Sequence, residues 1–155
     1  MSEKNLGNLI DIAIEREEAA HDFYTKLAEK VDEQTVKDTL QFLAKEELKH
    51  KEYLEGYRAG TVGPDTLRMS HVVDYKIAEH LDEPEAEARL DSKDAYLIAA
   101  HRELKSYTFY RALADLHPDG NAKEILLKMA NEELKHKEKV EYLYANTAFP
   151  QTAGG

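Results

Sequence analysis

The chain has 155 residues, enough for one domain with a substantial core, and its 42% hydrophobic and 34% charged residues mark a globular, helix-rich composition. Cysteine is absent, which excludes disulfides, iron–sulfur clusters, thiolate zinc sites and thiol catalysis, so any metal must be held by carboxylate and imidazole. The net charge of −10 argues against a nucleic-acid partner and favours cations, no apolar run approaches the ~20 residues of a membrane span, and the opening MSEKNLGNLI lacks the apolar centre of a secretory signal, so a cytoplasmic protein is expected.

Four long amphipathic segments are predicted as helices. The first runs from about Leu6 to Lys30, with Ile10, Ala13, Ile14, Ala20, Tyr24, Leu27 and Val31 recurring at three- and four-residue steps. The second runs from about Glu33 to Tyr57, with Val36, Leu40, Leu43 and Leu54 on its face and Asp32 as the expected N-cap. A connection over 59–91 follows, too long to be structureless in a compact domain, and Val72 to Leu81 is predicted as a short helix within it. The third segment begins after Asp91 or Ser92 and ends before His117-Pro118. The fourth runs from about Asn121 to Tyr144, with Asn121 and Glu124 as a capping box, and the tail TAFPQTAGG is expected to be loosely packed. Segments one and two, and three and four, are joined by short turns, which implies antiparallel neighbours.

An internal repeat sets the architecture. Shifting the chain by 86 residues superimposes AKEELKHKE at 44–52 on ANEELKHKE at 130–138, and places Arg16, Glu17, Phe23 and Tyr24 on Arg102, Glu103, Phe109 and Tyr110. The expected fold is all-α: a single domain, 1–155, forming a ferritin-like four-helix bundle of two repeated helical hairpins (about 6–57 and 92–144) joined by a long crossover.

The apolar faces are interrupted by polar residues at matching places. Glu47 and His50 continue the row Val36, Leu40, Leu43, and Glu133 and His136 do the same in the fourth segment; Glu17 and Glu103 lie seven residues before Tyr24 and Tyr110. Buried carboxylates without counter-ions are costly, and two divalent cations would neutralise the four negative charges. Di-iron and di-manganese carboxylate bundles use this pattern, one Glu from each of two helices and Glu-x-x-His from each of the other two. The predicted metal ligands are therefore Glu17, Glu47, His50, Glu103, Glu133 and His136, with Tyr24 and Tyr110 as candidate supports for the carboxylates. A further Glu-x-x-His, Glu18 with His21, is set aside because its repeat-mates are Leu104 and Tyr107. Glu46 and Glu132 are read as a solvated face paired with Lys49 and Lys135, and His71, His80, His101 and His117 as surface or packing residues.

The segments EREEAAHDFY, AKEELKHKEYL, HRELKSYTFY and ANEELKHKEKV resemble the rubrerythrin branch of the ferritin-like superfamily, in a short form without a rubredoxin domain. The resemblance implies that Glu47 and Glu133 bridge two iron ions (manganese or mixed metals also fit the donor set), that Glu17 and Glu103 are terminal or bridging, and that His50 and His136 each cap one ion. It implies a non-haem di-iron redox protein that reduces peroxide or dioxygen, or a ferroxidase, drawing on an external donor such as a rubredoxin-like protein. The alternative is a non-enzymatic iron-handling or sensing protein. Rubrerythrins also carry an extra Glu one turn after the third-helix ligand, where this chain has Ser106, with Ala20 as its repeat-mate. A homodimer is expected from aromatic residues beyond the needs of one bundle, notably Tyr53, Tyr57, Tyr142 and Tyr144.

Overall fold

The computed structural model describes residues 3–150, with side chains from residue 8 onward. Five α-helices follow one another: α1 Glu3–Ala28, α2 Gln34–Ala59, α3 Ile77–His80, α4 Ser92–Asp115 and α5 Asn121–Ala148, with one 3₁₀ turn at Pro64–Thr66 and no strand among the described residues. The fourth predicted segment thus extends past Tyr144 to Ala148, while residues 151–155 of the expected loose tail lie outside the described residues.

Local chemistry sets the helix ends. Asp91 caps α4 by accepting from the Asp94 N–H at 2.9 Å. Gly60 ends α2 at φ 80°, a left-handed conformation open to glycine, and its N–H returns to the carbonyls of Gly56 and Tyr57. Two expected caps are corrected. The N-cap of α2 is Glu33, not Asp32, and Asp32 is instead bonded to Arg89 at 3.0 Å. Asn121 lies inside the first turn of α5 behind Gly120, whose φ of 152° suits glycine, so no capping box forms with Glu124.

Pairwise contacts give the helix directions. His21 reaches the Ala44 carbonyl, Glu18 pairs with Lys51 and Asp11 with Arg58, so α1 and α2 run antiparallel. Tyr24 meets Glu103 and Tyr110 meets Glu17, which sets α1 antiparallel to α4. His50 lies by Glu133 and His136 by Glu47, which sets α2 antiparallel to α5. It follows that α2 and α4 run in the same direction, and the chain between them must travel the length of the bundle.

That crossover is laid along α5. Lys128 donates to the Pro64 carbonyl, the Asn131 side chain bonds both the N–H and the carbonyl of Ser70, Glu138 accepts from the Val73 N–H, and Glu141 accepts from the Ala78 N–H. Lys137 is fully buried and its ammonium sits 2.6 Å from Asp74, 2.8 Å from Glu79 and 3.0 Å from Glu141. These bonds explain why the predicted helix Val72–Leu81 contracts to Ile77–His80. The backbone of Ser70 and Val73 is committed to α5 side chains, and Lys76, at φ 54°, interrupts any helix before it reaches Ile77.

The core has two apolar regions. One gathers Leu27, Val31, Val36, Leu40, Leu43, Ile98 and Val140; the other gathers Ile10, Ala13, Leu54, Leu113, Ile125 and Met129. Between the two regions, along the four long helices, lie the buried Glu17, Glu47, His50, Glu103, Glu133 and His136.

Candidate metal centre

Six polar side chains occupy that middle layer. Glu17, Glu47, His50, Glu103, Glu133 and His136 are each at most 5% exposed, burial that charged groups tolerate only when paired. The helical period places them there: Glu47 and His50 share one face of α2, Glu133 and His136 the matching face of α5, and α1 and α4 contribute one Glu each.

The donor atoms form two overlapping sets. Glu17, Glu47, His50 and Glu133 make one and Glu47, Glu103, Glu133 and His136 the other, with the atoms of each within 4.8 Å of one another. Glu47 and Glu133 belong to both. His50 Nδ1 lies 2.8 Å from Glu133 Oε1 and 3.6 Å from Glu17 Oε2. His136 Nδ1 lies 3.2 Å from Glu47 Oε1 and 3.6 Å from Glu103 Oε1. The two imidazoles stack with centroids 5.5 Å apart and planes 14° from parallel.

Hydrogen bonding leaves this layer unsatisfied. Both oxygens of Glu47 and of Glu133, Oε2 of Glu17 and of Glu103, and Nδ1 of His50 and of His136 are buried without a hydrogen-bond partner. The 2.8 Å approach of His50 to Glu133 is close enough for a bond but not aligned for one. Buried polar atoms are almost always paired, and eight unpaired donors converging on one layer fit two cations bound by oxygen and nitrogen. The donor set is therefore one that two iron or manganese ions would satisfy.

Electrostatics of the metal-free chain point the same way. Burial, then repulsion from neighbouring carboxylates, raises Glu47 and Glu133 well above the ordinary carboxylate range. Burial works against protonation of His50 and His136, yet the surrounding carboxylates raise both well above the ordinary imidazole value. Burial also pushes Glu17 upward, but the nearby Glu47 carboxyl, the His50 imidazole and the Tyr110 hydroxyl outweigh it and hold Glu17 low. Without metal, protons must do the neutralising.

Around the carboxylates the two halves of the repeat exchange equivalent contacts. Tyr24 donates to Glu103 Oε1 at 2.7 Å, and Tyr110 donates to Glu17 Oε1 at 2.5 Å. Arg16 stacks on Phe109 at 4.1 Å, and Arg102 on Phe23 at 5.0 Å. Each tyrosine thus fixes the carboxylate of the other half of the repeat. Burial and the adjacent carboxylates raise both phenols well above 10, so both remain donors.

The imidazole surroundings are not equivalent. Glu46 Oε1 lies 3.9 Å from His136 Nε2 and is anchored by Lys49 at 3.2 Å. The His136 ring and the Lys49 ammonium hold the Glu46 carboxyl down to about 2. The reading of Glu46 as a purely solvated salt-bridge residue is therefore corrected. No spacing signal separates it from its repeat-mate Glu132, because the contact joins α2 to α5 across 90 positions.

The remaining histidines stay out of the centre. His21 Nδ1 bonds the Ala44 carbonyl, with Glu18 turned to Lys51. His101 bonds the Leu81 carbonyl, His117 is buried against the Leu113 carbonyl, and His71 and His80 are exposed. Ser106 is half-buried and does not belong to either donor set.

Comparison with known proteins gives a partial family match and a similar fold. Residues 1–57 match the family model described as rubrerythrin. A solved structure, a hypothetical protein from Pyrococcus furiosus, superimposes with a TM-score of 0.64 over 95% of this chain and 92% of its own, at 24% identity. That likeness speaks for the fold, which is consistent with a ferritin-like helical bundle. No curated protein matched the chain. The match covers α1 and most of α2, and the repeat places the same Glu-x-x-His motif in α5.

Proposed function

We propose that this rubrerythrin-like chain is a non-haem di-iron redox protein of two repeated hairpins, reducing peroxide or dioxygen with electrons from an external donor. The observation that supports the reading best is the pair of four-residue sets sharing Glu47 and Glu133, with unpaired donor atoms facing inward. Glu17 and His50 would hold one metal, Glu103 and His136 the other, and Glu47 and Glu133 would bridge. Bound iron would supply the electrons that carboxylates and imidazoles cannot.

The protein's own part is geometric. Tyr24 and Tyr110 fix the orientation of Glu103 and Glu17, and their raised phenol values keep the protons on the phenols. The apolar regions on either side of the polar layer exclude bulk water and sharpen every charge interaction inside it. A carboxylate-rich cage favours the higher-valent, harder ion, which assists oxidation of the metal.

The deciding experiment is metal analysis of the native protein and of the Glu47→Ala and Glu133→Ala variants. About two ions per chain are expected in the native protein, as two donor sets imply, with loss in both variants. Full-strength binding by the doubly substituted protein would refute the ligand set.

A second reading, iron handling or sensing without turnover, draws on Ser106, since no fifth carboxylate joins the centre among the described residues. Repeated cycles with a chemical reductant separate the two, because a catalyst turns over and a binder reacts once. A rubredoxin-like protein is the proposed reductant and a homodimer the proposed assembly.

A further inference from the structure

The 86-residue repeat gives the two halves of the centre the same motif, so the simplest expectation is two equivalent metals. The inventory around the imidazoles departs from that symmetry. Glu46 approaches the outer nitrogen of His136 to 3.9 Å, and Lys49 steadies its carboxylate. Its repeat-mate Glu132 is bound by Lys135 at 3.0 Å, and among the described side chains no carboxylate beyond Glu17, Glu47 and Glu133 pairs with the His50 ring.

Neighbouring residues repeat the difference. Phe42 meets His136 edge-on with ring centroids 6.4 Å apart, and the Lys139 ammonium sits 4.1 Å over the Phe42 ring. The positions equivalent to Phe42 and Lys139 are Lys128 and Tyr53. These donate instead to the crossover carbonyls of Pro64 and Gly63, at 2.6 and 2.9 Å. One imidazole is therefore backed by a carboxylate and an aromatic edge, while the side chains equivalent to that backing tie down the crossover near the other.

We infer that Glu46 is a positioning residue for His136, and that the two metal positions are inequivalent for that reason. The inference rests on the metal-centre reading proposed above. A carboxylate behind a metal-binding imidazole fixes the ring orientation and tautomer and raises its basicity, and losing such a partner commonly costs 10- to 100-fold in metal affinity. Glu46 acts only through His136: it belongs to neither donor set.

Cobalt(II) titration and Mössbauer spectra of the oxidised iron-57 protein test this in native, Glu46→Gln and Glu132→Gln chains. Gln is isosteric and Glu46 is only partly buried, so folding is not at issue. In Glu46→Gln, one of the two metal equivalents should weaken about 10- to 100-fold while the other is unchanged, and one of two quadrupole doublets should shift. Glu132→Gln should resemble native protein in both measurements. Equal weakening of both equivalents, unchanged spectra in Glu46→Gln, or the same response from Glu132→Gln would overturn the role of Glu46 while leaving the metal centre intact. A native protein that binds no cobalt or iron would instead overturn the metal-centre reading, and this inference with it.

Discussion

Tyr24 is fully buried, and its hydroxyl has two acceptors, Glu103 at 2.7 Å and the Ala99 carbonyl at 3.3 Å. A hydrogen bond to a charged acceptor contributes about 1.5–3 kcal/mol, so Tyr24→Phe should lower stability by about that amount in urea unfolding. Combined with Glu103→Ala the loss should be smaller than the sum, because both changes remove the same interaction; additive losses would show that the bond contributes nothing. Ser106 invites the opposite experiment. Ser106→Glu offers the centre a further hard oxygen donor, and ferrous-loaded protein carrying it should react with peroxide faster than native protein in stopped flow. A native rate tenfold higher, about 1.4 kcal/mol of barrier, would show that Ser106 is no handicap.

Among the elements, the crossover depends most visibly on a single side chain. Lys137 is raised above 10.5 despite burial, because Asp74, Glu79 and Glu141 surround it. Glu141 is itself fully buried and holds the Ala78 N–H. Lys137→Met removes the cation and strands that carboxylate, a change that costs about 3–5 kcal/mol when one partner of a buried pair is lost. Hydrogen exchange should show faster exchange over 70–80, with α1 and α2 unaffected, and Lys137→Met/Glu141→Gln should recover part of the stability. Unchanged protection over 70–80 would mean that the remaining bonds to α5 hold the crossover alone. Two tyrosines set aside for an interface belong to the fold instead: Tyr53 donates to the Gly63 carbonyl and Tyr57 is partly buried against the second apolar region, whereas Tyr142 is 54% exposed. Light scattering at high concentration tests the proposed dimer; a monomer mass would refute it.

For the whole molecule, proton binding sets the pH response. In the metal-free chain Glu47 and Glu133 are raised well above 4.5, and His50 and His136 well above 6.5. The folded state therefore holds protons that the unfolded state has already released, and stability from these groups is complete below the unfolded values and lost as pH rises through the folded ones. Glu17, held below 4.5, works in the opposite sense, its contribution being lost only as pH falls through its lowered value. The melting temperature of the metal-free protein should decline as pH rises above the ordinary carboxylate value of 4.5. Metal replaces those protons, so the stabilisation by added metal should grow over the same range. A metal-free melting temperature that climbs with pH would contradict the arrangement of the buried carboxylates. Among the described residues, no helix is long and apolar enough to cross a membrane.

The sequence by itself determined the four long helices, because their apolar residues recur at the helical period, and it singled out Glu17, Glu47, His50, Glu103, Glu133 and His136, because the repeat removes accidental pairs such as Glu18 and His21. Both signals are local: a period, a spacing, an offset of 86 residues. The tertiary structure alone decided the rest. Whether Val72 to Val73 becomes helix or an extended strap depends on Glu138 and Asn131 accepting and donating from another helix, and a propensity read along the chain contains no trace of them. Glu46 and Glu132 occupy identical motifs and each pairs with its own lysine, yet of the two only Glu46 comes within 4 Å of an imidazole, because the packing of α2 against α5 brings His136 toward it. A repeat fixes which residues can be alike; the contacts between helices, which the crossover makes unequal, fix which of them are.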